Sequence, residues 1–186
     1  MLYAFVRGQL DRFARTWDYD VTYMREILDE AGIGAILPMQ GLSKLSFYRK
    51  DVPLDVYYGA KLTAAVAGDC GPCAQLAVRM AERDGVAPAL IAAIVEGDRD
   101  AATPAARLGI DIAHGTLARD GSGDAAREEI LRRYGRRALA SVAYGITAAL
   151  AFPNFKYAIG HGHACGRLDV GGETLVPGSR STPQHA

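Results

Sequence analysis

Cysteine is scarce, with three residues in 186, and only Cys70 and Cys73 stand close together. A secreted disulfide scaffold carries more, so the expected compartment is the cytoplasm. An excess of either charge is missing too: 21 basic side chains face 21 acidic ones. Phosphate binding shows as a basic excess, so nucleic acid is not an expected partner. Neutral balance leaves little repulsion between copies and permits self-association. No long apolar run opens the chain. Residues 1–6 are apolar, but Arg7, Asp11, Arg12 and Arg15 interrupt them at once. The stretch is too short for a signal-peptide core or a membrane span, and it reads as an amphipathic first helix. Strand-like alternation is also lacking.

What is present is helical periodicity, punctuated by glycine and proline. Val21, Met24, Ile27, Leu28 and Ala31 recur at helical spacing before Gly32 and Gly34. Residues 35–53 read as a short helix or loop bounded by Pro38 and Pro53. Residues 56–67 form an Ala-rich buried helix ended by Gly68. A second helix follows the cysteine pair as far as Asp84, and Gly85 stops it. Pro88 and Thr103-Pro104 open two more helices. Asp124 caps the next, which Gly135 ends, and 137–152 is apolar nearly all round, as in a central buried helix. That last run is too short for a membrane span. The expected fold is therefore all-α, one domain of six to eight helices over 1–186, with an irregular tail over 166–186.

The pair Cys70-Gly71-Pro72-Cys73 carries the most specific chemistry. Gly68 ends one helix and Pro72 suits the first turn of the next, so Cys70 sits near a helix N-terminus. The free N–H groups and the dipole there favour a thiolate over a thiol. Asp69 is a plausible cap whose charge opposes that ionisation. Zinc needs four ligands, and a second C-x-x-C or H-x-x-x-H is missing. The Gly-Pro insert matches thioredoxin's motif, yet the preceding segment is helical where thioredoxin has a strand. Two buried structural cysteines are the bland alternative.

A helix ending in Gly68-Asp69-Cys70-x-x-Cys73, then a helix, Asp84-Gly85-Val86-Ala87-Pro88 and a later all-apolar helix, resembles the carboxymuconolactone decarboxylase superfamily. Its alkylhydroperoxidase D-like branch is the most similar. The resemblance covers roughly 50–160 and leaves 1–49 as an N-terminal helical extension. It implies an all-helical subunit assembled into a dimer, trimer or hexamer. It also implies a C-x-x-C pair that reduces peroxides with electrons from a dithiol or lipoylated protein, and it requires no metal or organic cofactor. The family's Glu before the first cysteine, its His after the second, and the His some members carry just before the second are here Tyr58, Ala77 and Pro72. The usual proton relay is therefore replaced. Tyr58 is the candidate hydrogen-bond donor to a thiolate, with Tyr57 and Gln75 as partial substitutes. Helix-end position favours Cys70 as the nucleophile, whereas the family pattern makes it Cys73, with the other cysteine resolving. The rivals are a non-catalytic helical oligomer and a decarboxylase-like binder of a small carbonyl compound.

Other groups read more plainly. His161, His163 and Cys165 alternate along one segment, where a metal would need a fourth ligand, so a solvated loop is expected. His114 is expected on a helix surface. Arg132, Arg133, Arg136 and Arg137 read as a solvated helix-end cluster.

Overall fold

The apolar stretches read above as helices are helical in a computed structural model, which describes residues 1–178. Among the described residues eight helices run in order: α1 Leu2–Trp17, α2 Thr22–Glu26, α3 Ile33–Phe47, α4 Leu54–Ala67, α5 Gly71–Arg83, α6 Pro88–Glu96, α7 Pro104–Ala118 and α8 Asp124–Ala158. A π-helical turn, Ile27–Ala31, continues α2. The fold is mostly helical, as expected.

Helix α4 is the axis of the molecule, since every residue over 56–65 is buried. One apolar cluster joins it to α5 and α6, and a second joins it to α7 and α8. The crossing with α7 is tight enough to involve backbone. A methyl group placed on Gly109 would lie 2.1 Å from the Val56 carbonyl oxygen, and one on Gly59 would lie 2.4 Å from that of Ala106. Thr103 starts α7 by accepting from the Ala106 N–H at 3.1 Å, and its hydroxyl donates to Asp55 at 2.7 Å. A third cluster, built from Val6, Tyr19, Tyr23, Leu28, Ile36 and Met39, belongs to α1–α3 and meets the rest at Trp17, Leu76 and Phe152.

Four expectations need correcting. Residues 33–47 form one continuous helix through Pro38, because burial of Ile36 and Met39 outweighs the single hydrogen bond that proline removes. Residues after Gly135 run as helix past Pro153 to Ala158 and not only to 152. This makes α8 long and apolar enough, by length and composition, to cross a membrane. In the domain α8 packs on α3, α4 and α7. Nor is it buried all round: Ala143, Tyr144 and Thr147 are exposed in the single chain. Gly135 breaks α8 as expected, with φ +81, where a side chain would be strained.

The fourth correction is the tail. Strands β1 Leu168–Val170 and β2 Glu173–Leu175 form an antiparallel hairpin, and Leu168 and Val170 are buried against α5 and α6. Gln75 on α5 acts as a surrogate neighbouring strand. Its amide N–H donates to the Asp169 carbonyl, and its carbonyl accepts from the Asp169 N–H, both at 2.8 Å. Replacing Gln75 with Ala is expected to cost about 1 kcal/mol per bond lost. Hydrogen exchange at the Asp169 amide measures this, and it is expected to accelerate while α4 amides stay protected. The part of the expected tail over 179–186 lies outside the described residues.

Candidate functional site

Cys70 is the residue before α5, in extended conformation, and its carbonyl accepts the first helical bond from the Ala74 N–H at 2.9 Å. Pro72 stands in the first turn, where its missing N–H leaves nothing unsatisfied. One helical turn then brings the Cys73 sulfur to 2.8 Å from that of Cys70, both in the free thiol form. A disulfide needs about 2.05 Å, so ring closure requires only a small movement.

Segment 161–165 covers the pair like a strap. The Gly71 N–H donates to the His163 carbonyl at 3.0 Å, and the Cys165 N–H to the Asp69 carboxylate at 2.8 Å. Tyr157 donates to the Asp69 carbonyl at 2.7 Å. Asp69 therefore does not cap α5. It takes a left-handed conformation, φ 44, and its carboxylate holds the strap. Under this strap Cys70 is fully buried, whereas Cys73 lines a cavity.

The two thiols share their ionisation. The Cys73 S–H donates to a Cys70 thiolate, and this is the main reason the Cys70 group is pulled down to about 6. Burial opposes the shift; the backbone N–H of Cys73, the Lys156 ammonium and the His163 N–H support it. The Cys73 proton is correspondingly held well above the thiol range, first by that hydrogen bond, then by burial and the Cys70 charge. The first proton to leave thus belongs to the pair. Cys165 is pushed up to about 11 by burial, then by Asp69 and Cys70, so it stays a thiol at neutral pH.

Beyond Cys73 the cavity, about 50 Å³, is lined mostly by aromatic and aliphatic groups from α1, α2, α3, α4, α5 and α8, with Ser43, Ser46 and Lys61 as its polar members. The Tyr19 hydroxyl lies 3.9 Å from the Cys73 sulfur. The Tyr23 hydroxyl is buried, and the Tyr19 hydroxyl is its polar neighbour. Lys156, 3% exposed, places Nζ over the rings of both tyrosines, 5.5 and 5.0 Å from their centroids.

Tyr58 is not joined to the sulfurs. Its hydroxyl donates to the Asp84 carboxylate, which also accepts from Arg49. It lines a second, more polar cavity of about 150 Å³ with Trp17, Arg49, Tyr57, Lys61 and Asp84. Tyr57 donates to the Ser46 carbonyl at 2.8 Å, and Gln75 is committed to the hairpin, so neither reaches the pair. His161 pairs with Glu26 at 2.7 Å, while His163 and His114 are exposed. Among the described residues no three His, Cys, Asp or Glu side chains converge as a metal site. Arg132 and Arg133 pair with Glu129, and Arg137 with Asp51.

Tyr19, Tyr23, Lys61 and Lys156 were not singled out from the sequence. For the two lysines a signal existed, since each is a lone charge inside an otherwise apolar helical stretch, where an ionised group has no solvent. The tyrosines had none, because they come from the N-terminal extension and meet the pair only through tertiary packing. Compared with known proteins, the chain matches no family model, no curated protein and no solved structure.

Proposed function

We propose that the protein is a thiol oxidoreductase of the alkylhydroperoxidase D-like type in which Cys73 attacks a hydroperoxide and Cys70 is both its base and its resolving partner. The observation that carries this reading is the asymmetry of the pair: one sulfur is buried and favoured as thiolate, and the other, 2.8 Å away, faces the cavity. The arrangement supplies a base where the family's Glu and His are replaced. As Cys73 attacks the hydroxyl oxygen of R–O–OH, its proton passes to the Cys70 thiolate. The O–O bond breaks, Cys73 becomes a sulfenic acid, and the alkoxide takes the proton back from Cys70 to leave as alcohol. The Cys70 thiolate then attacks the sulfenic sulfur, forming the disulfide and releasing hydroxide. Two electrons leave the sulfurs and reduce the peroxide. A dithiol protein, lipoylated or otherwise, returns them in the cytoplasm. The Tyr19 and Tyr23 hydroxyls are the donors available to the departing oxygen.

The test is oxidation of the reduced protein by cumene hydroperoxide, read by mass spectrometry. A Cys70–Cys73 disulfide is expected in the native chain and in Cys165→Ser, and a dimedone adduct at Cys73 in Cys70→Ser. A dimedone adduct at Cys70 in Cys73→Ser with none at Cys73 in Cys70→Ser, or no oxidation of the native chain at all, would sink the proposal. The rate is expected to rise through about pH 6 and level off near neutrality, because the pair's first ionisation creates the base and is complete above it. A rate that still climbs near pH 8.5, as for an unassisted thiol, contradicts the assignment.

Self-association is part of the same reading. The exposed side of α8 at Ala143, Tyr144 and Thr147, with Phe155 and Tyr157 farther along, supports a helix-mediated dimer, trimer or hexamer. Light scattering measures it, and a monomer at every concentration would remove that part.

A further inference from the structure

The two cavities meet at one buried lysine. Lys61 is 3% exposed on α4, and its ammonium donates to the Ser46 carbonyl at 3.1 Å and the Ser46 hydroxyl at 3.0 Å. Its other neighbours are the Met80 sulfur at 3.2 Å and the rings of Tyr57 and Tyr58, with centroids 5.5 and 5.9 Å away. None of these carries a negative charge. Asp84 on the chamber wall already serves Arg49 and Tyr58. Burial pulls the Lys61 group down to about 8, which leaves it cationic at neutral pH. A buried ammonium without a touching carboxylate is an unfavourable arrangement for a fold to keep.

The space around Lys61 has the form of an amphipathic ligand. On one side lies the polar chamber with Arg49, Tyr58 and Trp17; on the other the apolar cavity leads past Ala77 and Leu76 to Cys73. Ser46, Phe47, Lys61 and Met80 line both. Met80 and Cys73 are two turns apart on α5, so the apolar path is about 10 Å long at ~1.5 Å per residue.

We propose that Lys61 holds the carboxylate of a medium-chain acid whose apolar chain lies along α5 and brings a hydroperoxide to Cys73. The substrate class is thus an acid with its reducible group several carbons from the carboxylate. The hydroperoxide rests on the redox reading above; the seating of head and chain does not. The chamber supplies charge complementarity for the head, and the Tyr19 and Tyr23 hydroxyls, which line the cavity with Cys73, stand to meet an oxygen.

Octanoate, which has no reducible group, is the probe, followed by the fluorescence of Trp17, the chain's only tryptophan and part of the chamber wall. Saturable binding is expected, with acetate and octanol each weaker by about tenfold or more, since each lacks half of the recognition. Octanoate is also expected to slow alkylation of Cys73. Lys61→Met is expected to fold and to bind octanoate no better than octanol. Equal binding of octanoate, acetate and octanol by the native chain, or unchanged alkylation of Cys73 under saturating octanoate, overturns the proposal without reference to any variant. Octanoate binding together with failed oxidation by hydroperoxide would instead overturn only the redox reading.

Discussion

Gly109→Ala is expected to destabilise the protein by about 3 kcal/mol or more, the upper range for overpacking a close-packed interior. The added methyl would sit 2.1 Å from the Val56 carbonyl oxygen and 2.6 Å from the Ala60 nitrogen. Both obstacles are backbone of the most buried helix, so neither can swing aside as a side chain would. Relief requires α4 and α7 to separate, which opens the cluster around Val56, Ala60, Ile112 and Ile146. For a chain of this size the melting temperature is expected to fall by roughly 10 °C, at ~2–4 °C per kcal/mol. Gly8→Ala is the matched control. Gly8 lies in α1 with nothing near the new methyl, and alanine is the better helix former there by roughly 0.5–1 kcal/mol. Equal melting temperatures for the two variants would refute the close crossing.

Cys73→Ala is expected to move the ionisation of Cys70 from about 6 back toward the ~8.5 of an ordinary thiol, because it removes the largest stabilising contribution, the donated S–H. The ultraviolet absorbance of the thiolate, titrated in a Cys165→Ser background, reports it. Lys156→Met is expected to move the same transition upward by less, since the backbone N–H groups and the Cys73 thiol stay in place. Oxidation by hydroperoxide is expected to vanish in Cys73→Ala and to persist in Lys156→Met. If Cys73→Ala leaves the transition near 6, the sharing of one proton between the sulfurs is wrong, and the helix N-terminus alone stabilises the thiolate.

Most of the helical architecture could be read from the chain, because glycine and proline stand where helices stop and start. Gly68, Gly85, Pro88, Pro104 and Gly135 all fall at such points. The failures have one physical source, which is that tertiary burial outweighs local preference. Pro38 sits within a helix because its neighbours are wanted in the core. The hairpin over 168–175 is too short to show alternation and depends on Gln75, a partner nearly a hundred residues away. The exposed side of α8 looked buried because apolarity alone does not say what covers a face.

The candidate site divides in the same way. Cys70 and Cys73 were visible as a local spacing, and local geometry brings them together. Tyr58 was placed by its distance along the chain from Cys70, but the α4 register turns its hydroxyl to Asp84. The residues around Cys73 come from Tyr19, Tyr23 and Lys156, far apart in sequence, and only packing of the extension against α8 assembles them. Periodicity cannot report such a meeting.

The environment of Cys70 also bears on the direction of electron flow. A sulfur that is stabilised as a thiolate is a good leaving group when a disulfide is attacked. An incoming dithiol that reaches Cys73 through the cavity is therefore expected to expel Cys70 readily, so the mixed disulfide forms on Cys73. The same N–H groups and the Lys156 charge stabilise the dithiol form and do nothing comparable for the disulfide. Their effect is to raise the reduction potential of the pair above that of an unassisted dithiol, so its disulfide is expected to be the better oxidant of an external dithiol. In a thiol-buffered compartment the protein is expected to rest in the reduced form, with its base already ionised before any oxidant arrives.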